Sequence, residues 1–380
     1  MLKSFKFRIY PTSSQERKLL GIIKLCQELY NGALQERIAY YKTFGKSLSL
    51  YDQIISLPKI KEICPEYKEV YSQVLRDPLT RLDKGYKNFF RRVKAGDAPG
   101  FPRFQSCKRY SSFTYPQSGF RINKDRLHLS KLGAIKISLH REIVGKIKAC
   151  TIIKSFTNKW YACFACEISE QALPKTGRAI GIDLGIKNYI VSSDNEVVDN
   201  PKTLNKYLMK LAKASRRHSK KKSNASRLHT ARLHEKVVNI RTDWQHKVAN
   251  QIVKNYDIII LEKLNIQNMQ VSKTLGSNMK RHISDASWGR LIQFISYKAE
   301  YADKQVVLVD PANTSKMCSR CGNIKNNLSL SDRTYRCDQC GLETDRDFNA
   351  SLNIKAKGLA ILAKPESRNI PSAVKVRSSA

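Results

Sequence analysis

Four cysteines late in the chain impose the tightest local constraint. Cys318-Ser-Arg-Cys321-Gly322 and Cys337-Asp-Gln-Cys340-Gly341 stand fifteen residues apart, giving two CxxC pairs at the spacing of a tetrahedral zinc ribbon, expected over residues 314–342. The glycine after each second cysteine permits the turn that lets both sulfurs of a pair face one ion. Four protein sulfurs leave no coordination position open, so the single expected Zn²⁺ is structural. The remaining cysteines, Cys26, Cys64, Cys107, Cys150, Cys163 and Cys166, lie scattered among apolar or basic neighbours, which suits reduced thiols better than a disulfide framework. Cys163 and Cys166 form another CxxC, but strand alternation turns them to opposite faces, and core packing is their expected role.

Charge narrows the partner. The 69 Lys and Arg against 32 Asp and Glu leave +37 on 380 residues, which excludes an ordinary metabolic enzyme as the first reading. Such an excess is self-repelling unless a polyanion neutralises it, and nucleic acid is the expected partner. With 41% apolar residues there is still enough material for real cores. No segment approaches the ~18–20 apolar residues that cross a bilayer. The opening Met1 to Arg8 alternates apolar with basic residues and offers no secretory run. The expected location is cytoplasmic, nucleoid-associated in a prokaryote, with no membrane partner.

Residues 3–10 read as a strand, and Thr12-Ser-Ser-Gln15 as a capping box opening a helix whose stripe is Leu19, Ile22, Ile23, Cys26, Leu29, Tyr30, Ala33 and Leu34. A second helix over 75–94 puts Leu75, Leu79, Leu82, Tyr86, Phe89, Phe90 and Val93 on one face, until Gly96, Pro99, Gly100 and Pro102 stop it. Short alternating segments between about 105 and 172 suggest a small β-barrel. The first strand is expected to join it, making the helices an insertion. Beyond the linker at 172–177, strands alternate with crossover helices, an α/β sheet that the ribbon interrupts and a last helix, from about Asp347, resumes. The boundaries drawn are a β-barrel over 1–11 and 100–172, helices over 12–99, an α/β domain over 176–313 and 343–362, and a flexible basic tail over 363–380.

Three acids each end or begin an apolar element. Asp183 stands between glycines in Gly181-Ile-Asp-Leu-Gly185, Glu262 follows Ile258 to Leu261, and Asp347 opens the last helix. A carboxylate at the end of a buried strand is costly without a compensating cation. Three converging acids can hold two Mg²⁺ ions ~3.5–4 Å apart, one activating water and one stabilising the departing 3′-oxygen of a phosphodiester. Asp345 competes for the third place. Residues two apart on a helical path diverge by ~200°, so Asp347 is chosen and Asp345 is given a positioning or capping role.

At these residues the chain resembles the TnpB family, transposon-encoded RNA-guided DNA endonucleases regarded as ancestral to the type V CRISPR effectors. The likeness runs through Phe7-Arg-Ile-Tyr-Pro11, Arg81 to Arg92, Pro99-Gly-Phe-Pro-Arg-Phe104, Gly181 to Gly185, Glu262-Lys-Leu-Asn265, the ribbon and Asp345 to Ala350. The resemblance implies a multidomain α+β fold: a RuvC nuclease of ribonuclease-H-like α/β fold with an inserted zinc ribbon, plus an N-terminal β-barrel wedge carrying a helical recognition insertion. Its implied triad is Asp183, Glu262 and Asp347. It also implies a guide RNA from the transposon end, a target-adjacent motif read by side chains, and target DNA in double- and single-stranded form. One protein per RNA is the expected stoichiometry, with oligomers left open.

Two basic surfaces suit that reading. Lys202 to Lys236 carries twelve Lys or Arg and one acid, and Arg216, Arg217, Lys220, Lys221 and Lys222 are its expected nucleic-acid contacts. Arg81, Lys84, Lys87, Arg91, Arg92 and Arg103 form the second set, interleaved with Tyr86, Phe89, Phe90, Phe101 and Phe104, which are expected to be core. None of the seven histidines forms a His-apolar-His metal pair; His246 is expected to pack on a helix and Asp285 to cap one. Competing functions are a guide-independent transposase or resolvase and a guided regulator that binds without cutting.

Overall fold

The computed structural model describes residues 1–329 and 332–363, and the chain divides into two compact units after Ser169. The basic tail expected over 363–380 lies, apart from its first residue, outside the described residues.

In the first unit β1 (Leu2–Tyr10) leads into α1 (Ser13–Phe44), α2 (Leu50–Ile55), α3 (Leu57–Ile63) and α4 (Ser72–Lys94). Six strands follow: β2 (Ser112–Pro116), β3 (Phe120–Asn123), β4 (Arg126–Leu129), β5 (Gly133–Ser138), β6 (Lys146–Lys154) and β7 (Trp160–Glu167). They form one antiparallel half-barrel sheet in the order β2-β6-β7-β1-β5-β4-β3. The first strand sits inside this sheet, between β7 and β5, so the helices are an insertion between β1 and β2. Its period of two buries Phe5, Phe7 and Ile9 and turns Ser4, Lys6 and Tyr10 outward. Strands β3 and β4 escape the sequence reading because four residues each carry too little alternation to register.

Helix α1 opens with the expected capping box, the Thr12 hydroxyl accepting from Gln15 N–H and the Gln15 amide oxygen accepting from Thr12 N–H. All eight residues of its apolar stripe are buried. Arg37, one turn on, is buried too, held by Gln53 at 2.7 Å and Asp83 at 3.5 Å. On α4 full burial stops at Leu82; Phe101 packs on Tyr86 and Phe89, but Phe90 and Val93 are at least half exposed, so the apolar face expected to Val93 is covered only in part over its last two turns.

The second unit contains β8 (Ala179–Asp183), β9 (Asn188–Ser192), β10 (Val197–Asp199), α5 (Thr203–Lys221), α6 (Asn224–Asn255), β11 (Ile258–Glu262), α7 (Ile266–Val271), α8 (Ser277–Ala286), α9 (Trp288–Tyr301) and β12 (Gln305–Val309). A two-stranded ribbon, β13 (Thr334–Arg336) with β14 (Glu343–Asp345), precedes α10 (Arg346–Ala363). The sheet order is β10-β9-β8-β11-β12, with β8, β11 and β12 parallel. Ile180, Ile182, Ile259 and Leu261 share one core with α6 and α9, while Ile260, Val307 and Val309 pack with Ile354 of α10 on the other face. Ser287, at a φ of 53°, ends α8 and begins α9.

Candidate metal centres and basic surfaces

The carboxylates meet because of strand register and one glycine. Leu261 pairs with Ile182 in the parallel ladder, so Glu262 and Asp183 follow as neighbours at the carboxyl ends of adjacent strands. Both face away from the Ile182 and Leu261 side, toward the layer of α10. Helix α10 lies almost on the strand: a Cβ at Gly181 would fall 2.6 Å from the Lys355 nitrogen and against the Ser351 carbonyl oxygen. Asp347 is one helical turn before Ser351, and Asp183 two strand residues beyond Gly181. The close approach therefore brings the first turn of α10 to the strand ends.

The electrostatics record the meeting. Burial, then the Glu262 and Asp347 carboxylates, push the Asp183 carboxyl up to about 8, against the opposing pull of the Arg346 guanidinium and the Leu184 N–H. Burial raises Glu262 too, offset by the Thr314 hydroxyl, 2.6 Å from its Oε1, and by Lys357. Asp347 lies 3.6 Å from Arg346 Nε and 3.9 Å from Arg333. Asp345 takes a different role: its Oδ1 accepts from the Asp347 and Phe348 N–H groups, capping α10. Hard oxygen donors crowded where they resist ionising alone fit divalent cations of the Mg²⁺ class.

The four cysteine sulfurs, Cys318, Cys321, Cys337 and Cys340, lie within 4.8 Å of one another, with Cys318–Cys340 and Cys321–Cys337 both at 3.6 Å. Tetrahedral sulfurs about 2.3 Å from zinc are separated by about 3.8 Å, so the quartet fits that ion. Two matching knuckles build it. Gly322 and Gly341, at φ 78° and 69°, donate back to the Cys318 and Cys337 carbonyls, and each first cysteine N–H donates to the residue beyond the glycine, Asn323 or Leu342. Among the described residues this is the one group of three or more potential ligands so close together. Cys163 and Cys166 lie on opposite faces of β7, one half-buried and one buried, as alternation requires.

Every expected nucleic-acid contact except Arg81 is exposed: Lys84, Lys87, Arg91, Arg92, Arg103, Arg216, Arg217, Lys220, Lys221 and Lys222. Arg81 is half-buried, paired with Asp77 at 2.8 Å and donating to Ser112 and Thr114, so it ties α4 to β2. The neighbouring aromatics depart from a core role. Tyr86, Phe89, Phe90 and Phe101 pack ring on ring, yet Phe90, Phe101 and Phe104 are about half exposed. Helices α5 and α6 form an antiparallel hairpin in which His218 meets Ser226 and Lys236 lies over Tyr207. Asp285 caps a helix other than its own, accepting from Leu204 N–H at the start of α5 while pairing with Arg241. His246 stacks on Phe294 at 3.9 Å, a packing role as expected.

Family models match at residues 1–46 (IS605 OrfB, helix-turn-helix domain), 163–273 (IS605 OrfB, probable transposase) and 288–354 (Cas12f1-like, TNB domain). A Streptomyces pristinaespiralis protein, provisionally named an RNA-guided DNA endonuclease, is 30% identical over 95% of this chain and 90% of its own length. The chain belongs to the TnpB family. InsQ of Escherichia coli strain K12, a TnpB relative with the same provisional name, is 30% identical over 95% of this chain and 94% of its own. TnpB-like protein L770 of Acanthamoeba polyphaga mimivirus is 24% identical over 94% and 74%. Among solved structures, the mini-RNA-guided endonuclease CRISPR-Cas_phi3 is 11% identical over 96% of this chain and 93% of that one, at a TM-score of 0.49, too low to decide the fold. The helix-turn-helix label of the first model does not describe what folds there, a strand followed by one 32-residue helix.

Sequence reading passed over several residues near the acids. Buried Thr314 bonds Glu262, buried Asn349 and Asn353 hold the backbone from Thr314 to Ser319, and Arg346 supplies a counter-charge. The signal available was Asn349 and Asn353 at i,i+4 on one helix face.

Proposed function

We propose that this chain is an RNA-guided DNA endonuclease encoded by a transposon, which binds a guide RNA from the transposon end, recognises a target-adjacent motif and hydrolyses target DNA at a single RuvC site. The observation that carries the reading is the convergence of Asp183, Glu262 and the Asp347 turn at the ends of two parallel strands, with Asp183 held near 8 by its burial and its neighbours. The finer domain layout belongs to the same proposal: a wedge over 1–11 and 100–172, a recognition insertion over 12–99, and a RuvC domain over 176–313 and 343–362 around the ribbon.

Asp183, Glu262 and Asp347 would hold the catalytic Mg²⁺ pair. Bound divalent ions supply an activated water and charge stabilisation at the departing 3′-oxygen. The protein's own part is to present three carboxylates on rigid strand and helix ends, to cap α10 through Asp345 and to fix Glu262 through Thr314. The α5–α6 hairpin and the exposed cations of α4 would take phosphates without reading sequence, leaving base pairing to the guide. Phe90, Phe101 and Phe104, exposed among those cations, suit contact with bases or sugars.

Asp183→Ala tests the centre. Cleavage of a target matching the copurified RNA should vanish while RNA binding stays at the parent level; retained cutting removes Asp183 from the mechanism. Cleavage undiminished after nuclease stripping of the RNA would favour a guide-independent recombinase.

A further inference from the structure

The structure assigns Thr314 as a positioning residue that orients the Glu262 carboxylate and links the zinc ribbon to the metal-binding acids. The inference rests on Glu262 belonging to the nuclease centre. Thr314 lies in the turn between β12 and the first zinc knuckle and is 3% exposed. Its hydroxyl is 2.6 Å from Glu262 Oε1 and 2.9 Å from the Pro311 carbonyl. It has one proton to give, and the charged acceptor makes the stronger bond, so the proton belongs to Glu262 once that carboxyl ionises. That bond leaves Oε2 as the oxygen for a cation and fixes the plane in which it is offered.

The turn itself is pinned by the helix that bears Asp347. Asn353 Nδ2 donates to the Thr314 carbonyl at 2.8 Å and to the Met317 carbonyl at 2.6 Å. Asn349 Nδ2 donates to the same Met317 carbonyl at 2.7 Å, and its Oδ1 accepts from Ser319 N–H. Both asparagines are essentially inaccessible, at 0% and 2% exposure. The backbone they grip from Thr314 to Ser319 contains Cys318. One helix thus presents Asp347 in its first turn and, through the next two turns, fixes both the first zinc ligand and the hydroxyl that holds Glu262. Leaving an asparagine amide unsatisfied in such a site is costly, so the turn has little freedom to shift separately from α10.

The measurement is Fe²⁺ binding at the acids, read as peroxide-driven backbone scission near residues 183, 262 and 347 in the full chain. Thr314→Val and Thr314→Ala both delete the hydroxyl, the first keeping the shape and the second avoiding an added methyl. Each should raise the half-saturating Fe²⁺ concentration about tenfold, the usual effect of losing an outer partner of a metal ligand. Thr314→Ser should stay within about twofold, with zinc content unchanged in all three. Parent-like Fe²⁺ binding in the Val and Ala variants would overturn the assignment, as would an equal loss in the Ser variant, which would mean packing. Asp183→Ala separates the two readings: scission there that survives Asp183→Ala removes the nuclease centre itself, whereas loss in Asp183→Ala with none in Thr314→Val removes only the role of Thr314.

Discussion

Gly181 is the residue on which the approach of α10 to the strand acids turns. With any side chain there, a Cβ would meet Ser351 and Lys355, and α10 would have to lift from the strand. Gly181→Ala should cost about 1–3 kcal/mol in unfolding free energy and depress cleavage more than tenfold, because overpacking displaces the helix that carries Asp347. Denaturant titration and single-turnover assays check the two parts. The sequence showed Asp183 between glycines, but not why the first glycine mattered, since a close helix leaves no mark on the strand itself. Asp183 also predicts a pH dependence. Its folded value near 8 exceeds the unfolded one of 3.8, so in metal-free protein its stabilising contribution is complete at low pH and is lost as pH rises through the folded value. Glu262 and Asp347 drive that shift together with burial, and Arg346 opposes it. Relative to Asp183→Asn, metal-free parent should therefore lose melting temperature between about pH 4 and 8. Added Mg²⁺ should restore more at pH 8 than at pH 5.

At the scale of elements, α10 separates two acids that sequence spacing alone could not. Asp345 ends β14 and caps the helix; Asp347 sits inside the first turn, and its charge bears on Asp183. Asp345→Ala should cost about 1 kcal/mol of stability and leave measurable cleavage, whereas Asp347→Ala should abolish cleavage with little change in melting. The longer elements were plain from periodicity, down to the whole α1 stripe, while the four-residue strands β3 and β4 were too short to register. What else escaped was set by tertiary partners. The end of α4 looks amphipathic but leaves Phe90 and Val93 at least half exposed, and Asp285, at the end of α8, serves the distant start of α5. Arg81 shows the same limit in reverse, a cation that composition assigns to phosphate and packing assigns to Asp77.

For the whole molecule, charge decides behaviour. With +37 to neutralise, the protein should bind RNA with a steep salt dependence. Replacing Lys220, Lys221 and Lys222 with Gln should flatten the slope of log affinity against log salt by about 2, at about 0.7 per single-strand phosphate contact. A slope unchanged by the triple variant would place those lysines away from the nucleic acid. The order in which the acids emerge during synthesis adds a consequence. Asp183 and Glu262 are made well before α10, and the ribbon and Asp347 come only afterwards. A nascent or prematurely terminated chain that ends between residues 262 and 347 carries two of the three carboxylates and much of the positive charge; on the proposed reading it would bind nucleic acid without cutting it.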